Sequence, residues 1–138
     1  MATYNKFQGF VGYLGLAAIN LNTDTFNVYL SNAAPSASAD DVKADLAEIT
    51  NEGGYTAPVD IQNGYTETTG TGTMTAVDVV VTATGPVGPF QYVVIYDDTV
   101  ASPVVDPLMC WFDYGTPLTL ANGETFTIDF GASLMTLV

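Results

Sequence analysis

The chain has no histidine and no arginine, and its basic side chains are two lysines, Lys6 and Lys43, against 15 acidic residues. Without histidine, no side chain of ordinary pKa changes charge near neutrality, and no imidazole is present to hold a transition metal. Without arginine there is no bidentate clamp for phosphate or carboxylate. The resulting net charge of −13 excludes electrostatic attraction to DNA, RNA or an anionic membrane as the principal activity. Acyl and phosphoryl transfer lose their usual helpers by the same absences, so the chain is expected not to be an enzyme and to need no cofactor.

Charge of either sign is scarce. Only 12% of the 138 residues are charged while 48% are hydrophobic, whereas about a quarter of residues are charged in an ordinary globular domain. Threonine, glycine and other small residues make up the difference. Such a surface is either covered by other protein subunits or left free as a threonine-rich exterior. The single cysteine, Cys110, cannot form an internal disulfide, and its setting in Leu108-Met-Cys-Trp-Phe112 reads as that of a buried, inert thiol. No basic stretch followed by an apolar core opens the chain, so no signal peptide is expected. No apolar run reaches the roughly 20 residues of a membrane helix. A single domain over residues 1–138, assembled in a cytoplasm, is the expectation.

The longest apolar run of strand-forming residues is Phe90–Asp98. Phe90, Tyr92, Val94 and Tyr96 alternate with Gln91, Val93, Ile95 and Asp97, and both sets are largely apolar, which predicts a central strand buried on both faces. Further strands are expected at Phe26–Leu30, Val77–Ala83, Leu108–Tyr114 and Leu134–Val138. Asn122–Gly123, between Leu118–Leu120 and Glu124–Phe130, carries a strong hairpin signal. Residues 39–49 predict a short amphipathic helix, with Val42, Leu46 and Ile49 as its stripe and Asp40 and Asp41 at its N-terminus. Residues 1–20 predict a short N-terminal helix weakened by Gly9, Gly12 and Gly15, which either closes the domain or forms an interface arm. The fold class is therefore all-β: a single-domain antiparallel β-sandwich, jelly-roll-like or immunoglobulin-like.

Three sets of residues are candidate sites. Tyr4, Phe7, Phe10 and Tyr13, interleaved with the glycines, are candidates for contact with another subunit or a capsid. Asp97, Asp98 and Asp106 form the densest carboxylate group, and oxygen ligands suit calcium. The spacing of a calcium loop is absent, however, so solvated turn aspartates are expected there and no metal. Asp113 and Asp129, on strands with aromatics nearby, are a carboxylate pair of the type used in glycoside hydrolysis, but nothing in the sequence makes them converge.

Four segments carry a resemblance: Asn22-Thr-Asp-Thr-Phe-Asn-Val-Tyr-Leu30, Tyr92-Val-Val-Ile-Tyr-Asp-Asp-Thr99, Pro107-Leu-Met-Cys-Trp-Phe-Asp-Tyr-Gly115 and Asn122-Gly-Glu-Thr-Phe-Thr-Ile-Asp-Phe130. In this order they resemble a family of small virion proteins of tailed bacteriophages. The departures are the glycine-rich N-terminal segment and Tyr114 where relatives have phenylalanine. The resemblance implies a capsid decoration, or cement, protein on the outer surface of the virion. It would bind the major capsid protein lattice and self-associate as a dimer or trimer. The alternative it leaves open is a tail, tail-fibre or head-fibre component with a glycan- or host-binding role.

Overall fold

The computed structural model describes residues 2–138. In chain order the elements are β1 (Tyr4–Lys6), α1 (Gln8–Gly15), β2 (Phe26–Ser31), β3 (Val59–Asp60), β4 (Gly64–Thr68), β5 (Thr71–Thr75), β6 (Val79–Thr82), β7 (Val87–Asp97), β8 (Leu108–Leu120), β9 (Thr125–Ile128) and β10 (Met135–Leu137). All strand pairings are antiparallel. One layer is a five-stranded sheet in the order β1-β8-β7-β2-β3. A three-stranded sheet, β10-β5-β4, and a two-stranded sheet, β6-β9, complete the domain. The chain is an all-β antiparallel sandwich.

β7 lies at the centre of the large sheet because both of its faces are apolar. Val93 and Ile95 face the main core, which also holds Met74, Val81, Ile128 and Leu134 from the other sheets. Val94 and Tyr96 face a second cluster with Phe7, Tyr29, Leu46 and Leu108. Phe90 departs from the simple alternation and joins Val93 and Ile95 in the main core. The β7–β8 pairing is irregular on both sides of Phe90, with one extra β7 residue between Val87 and Phe90 and extra β8 residues between Leu118 and Asp113, and such bulges break the alternation of faces. Gly88 just before Phe90 has φ of 119°, and a Cβ there would lie 2.6 Å from the Leu118 carbonyl oxygen, so this crossing of β7 and β8 requires glycine.

The helix expected over residues 39–49 is not formed. The segment contains one 3₁₀ turn, Lys43–Asp45, with Val42 and Leu46 extended on either side. Its polar groups find partners elsewhere. Val42 makes an isolated bridge to Pro107, the Ile49 amide donates to the Leu30 carbonyl at 3.0 Å, and the Tyr29 hydroxyl donates to the Leu46 carbonyl at 3.0 Å. Asp45 accepts the amides of Asp41 and Val42 at 2.9 and 3.1 Å, and these bonds hold its carboxyl below the usual range. The segment is thereby laid over the outer face of β2, where Leu46 is buried. Local helix propensity is overridden by long-range bonds.

The chain also crosses between sheets where a hairpin is expected. Gly123 does take a positive φ of 90°, but β8 pairs with β7 and β9 pairs with β6. Asn122–Gly123 is thus a corner between sheets, and β8 runs on through Gly115–Pro117 instead of turning there. The two-residue hairpin of the domain is at Thr69–Gly70, joining β4 to β5 with φ of 50° and 85°, the pattern of a type I′ turn. At the N-terminus α1 forms as expected, burying Phe10 and leaving Val11 and Leu16 outside.

Candidate functional site

The four aromatic candidates near the N-terminus separate in the folded chain. Phe7 is fully buried, its ring 4.6 Å from that of Trp111 on the outer face of the large sheet. Phe10 is buried in the main core. Both rings are packed inside this chain, Phe10 in the main core and Phe7 in the second cluster. Tyr13 is half-buried, and its hydroxyl donates to Asp41, a bond that together with burial pushes its pKa up to about 12. Tyr4 packs edge-on against Phe112 at 5.9 Å. Burial, and then the neighbouring Cys110 thiol, push the Tyr4 hydroxyl above its ordinary range. Of the four, Tyr4 is the one that lines both of the grooves described below.

The aspartates do not assemble a metal site. Among the described residues there is no group of three carboxylate, thiol or imidazole side chains able to hold an ion. Asp97 is not a solvated turn residue but is fully buried. Its Oδ1 accepts the amides of Thr99 at 2.9 Å and Val100 at 3.3 Å, capping the turn that ends β7. Burial, reinforced by Asp24, pushes its carboxyl up to about 7. Asp98 instead accepts the Tyr96 hydroxyl at 3.3 Å. Asp106 has φ of 52° and accepts the Lys43 amide through its carbonyl at 2.9 Å. Burial, and then Asp98, raise its carboxyl.

The concave feature of the surface is where the sheets part. A groove of about 560 Å³ lies between β8 and β9. Val93, Ile128 and Leu134, all buried, line it together with Phe112, Tyr114 and Phe126. Tyr114 is 52% exposed and meets Phe126 edge-on at 5.9 Å. Phe126 in turn meets buried Phe90 at 4.9 Å, so the aromatic rim is anchored in the core. Asp129 brings a carboxyl to the lining, with its Oδ1 accepting the Gly131 amide at 2.8 Å. Asp113 lies outside the lining and instead accepts the Gln91 side-chain amide at 2.9 Å. A smaller groove of about 300 Å³ continues past Tyr4, between α1 and β10.

Such a lining suits recognition of apolar and aromatic surface, with a polar tip at Tyr114. The sequence shows the apolar strands but not the groove, because its walls come from segments as far apart along the chain as Ala2 and Leu134. In sequence Tyr114 looks like the core aromatics, and only its exposure in the fold sets it apart. No protein-family model matches the chain, and no curated protein or solved structure shows significant similarity to it.

Proposed function

We propose that this protein is a non-enzymatic structural component of a bacteriophage virion, a decoration protein that binds the major capsid protein lattice on its outer surface and stabilises the head. The observation that carries the reading is an exterior poor in charge and dotted with apolar residues. Leu16 is 76% exposed, Val105 61%, Val80 57%, and Val11 and Tyr114 52% each, and Tyr114 lines an aromatic groove of about 560 Å³. Apolar residues scattered singly are ordinary, but a contiguous apolar face such as this groove, lined by Val93, Phe112, Tyr114, Phe126, Ile128 and Leu134, is characteristic of protein-binding sites. The four strand-and-turn segments that resemble phage virion proteins give that surface its partner. Binding many copies on one lattice multiplies a modest contact, because each bound subunit raises the local concentration of the next. The net charge of −13 would keep the protein off the packaged genome. Self-association as a dimer or trimer at capsid symmetry axes completes the proposal.

The test is stoichiometry. Quantified against the major capsid protein in purified particles, the chain should be present in hundreds of copies and should rebind shells stripped of it. A copy number near that of a tail ring or fibre would sink the decoration reading.

One observation favours the second reading, a tail-fibre or head-fibre component that binds glycans or the host. The exposed Tyr114 ring shares its groove with Thr127, Asp129 and Ser133, and aromatic platforms with polar neighbours suit sugar rings. Retention on a glycan panel by the intact protein, abolished by Tyr114→Ala, would support it.

A further inference from the structure

The groove between β8 and β9 is lined by five consecutive residues, Phe126, Thr127, Ile128, Asp129 and Phe130. A strand seen from one face contributes every second residue. Consecutive residues therefore mean that the groove runs along the edge of β9 and onto the segment after it. β9 has one neighbour, β6, with Val79 opposite Ile128 and Val81 opposite Phe126. One step further, the Ala83 amide donates to the Glu124 carbonyl at 2.8 Å. Glu124, Phe126 and Ile128 thus turn their backbone groups toward β6. By the alternation of an antiparallel ladder, Thr125 and Thr127 turn theirs away from β6, and Thr127 is in the lining of the groove.

An open edge is usually blunted by proline, by charge or by a covering segment. The neighbouring free edge, that of β8 beyond its pairing with β1, carries Pro117. β9 reads Thr-Phe-Thr-Ile, with neither proline nor charge. Its charges stand at its two ends, Glu124 and Asp129. Two β9 edges paired antiparallel, with Thr125 opposite Thr127, would set Glu124 of each copy opposite Ile128 of the other and Asp129 opposite Gly123. The net charge of −13 on each chain, with Glu124 and Asp129 at the two ends of the strand, disfavours a second copy as the occupant and favours a segment with basic ends.

We propose that the open edge of β9 is a strand-addition site that takes an extended segment of a partner protein, uncharged and β-forming at its centre and basic at each end. The partner strand exchanges backbone hydrogen bonds with Thr125 and Thr127. Its alternate side chains enter the groove against Phe112, Tyr114 and Leu134, and its basic termini lie at the acidic ends of β9, one of them opposite Asp129. This inference rests on the reading of the chain as a protein-binding structural component and names how it holds its partner.

The test uses the isotope-labelled full chain and a synthetic probe, acetylated and amidated Lys-Thr-Val-Thr-Val-Thr-Lys, at low salt. The probe should shift the amides of Thr125 and Thr127 and slow their hydrogen exchange. The same probe ending in glutamates should bind at least about tenfold more weakly. A probe N-methylated at its valines, which cannot complete the ladder, should not bind. The proposal is overturned if the lysine-ended probe leaves Thr125 and Thr127 unperturbed, or if the methylated or glutamate-ended probe binds equally well. Capsid shells provide the separating arm. Shell binding with the exchange of Thr125 and Thr127 unchanged overturns the strand-addition site alone. Probe binding at β9 with no shell binding supports the site and removes the capsid as its partner.

Discussion

The carboxyl of Asp97 stands against that of Asp24 where the end of β7 meets the start of β2, and it is the buried member of the pair. The two strands are in register there, with Asp97 opposite Phe26. Two acidic groups at one junction favour a proton on the buried one, which places a titration inside the fold of a protein that has no histidine.

Stability should therefore fall as pH rises toward neutrality. Asp97 is raised from 3.8 to about 7, by burial first and by Asp24 in addition. The folded state consequently holds a proton that the unfolded chain has released across this window. Stability from this group is fully present below pH 3.8 and is lost as pH rises through about 7. Asp97→Asn keeps an oxygen to accept the Thr99 amide and removes the charge. In urea titrations it should flatten the fall between pH 4 and 8 and be relatively more stable than the parent at pH 8. An unchanged pH profile would refute the assignment.

Phe7 should behave as a core residue and not as a contact residue. Its ring is fully buried against Trp111, so Phe7→Ala should cost about 3–5 kcal/mol of stability. Urea denaturation followed by tryptophan fluorescence reads both the stability and the changed surroundings of Trp111. A loss below about 1 kcal/mol would contradict the burial, since removing a buried ring leaves a cavity.

The helix glycines should not be equivalent. A Cβ at Gly9 would collide with the Asp41 carboxylate, the acceptor of the Tyr13 hydroxyl, whereas a Cβ at Gly12 meets nothing. Gly12→Ala should raise stability by up to about 1 kcal/mol through helix propensity alone. Gly9→Ala should lower the melting temperature by pushing Asp41 aside. Equal effects of the two substitutions would show that the link between α1 and the segment around Asp41 is not made.

Cys110 should be chemically silent in the native protein. It is fully buried, and burial drives its thiol well above the ordinary range, while the thiolate is the reactive form. A thiol-reactive chromophore should label it only at urea concentrations that unfold the chain. Fast labelling without denaturant would mean that this part of β8 opens locally.

Much of the framework was legible in local pattern. Alternation of apolar and polar residues identifies β2, β6 and β9, and an apolar run on both parities identifies β7 as the central strand. Cys110 is buried as its neighbours imply, and the short helix at the N-terminus forms despite its glycines. The candidate site was hardly legible. Of the aromatics singled out near the N-terminus, Tyr4 reaches the large groove, while Phe7 and Phe10 lie inside. Aromatic residues that fill a core and those that line an interface look alike in composition, and only exposure distinguishes them.

What the sequence by itself determined is the placement of β2 and of β6 to β10 and the apolar character of their faces, because side-chain period and turn chemistry act within a few residues; β1, inside the segment expected to be helical, and the β4–β5 hairpin came only with the fold. What only the tertiary structure decided is which backbone groups pair across long distances. A register shift put Phe90 on the face opposite to its parity. Bonds to β2 and the bridge to Pro107 kept residues 39–49 from becoming a helix. The Asn122–Gly123 turn carried the chain from β8 in one sheet to β9 in another. That crossing left one edge of β9 unpaired beside Phe112 and Tyr114, and so made the groove. Pairing of distant strands is a property of the whole packed chain, set by which arrangement buries the most apolar area with its hydrogen bonds intact, and no local period encodes it.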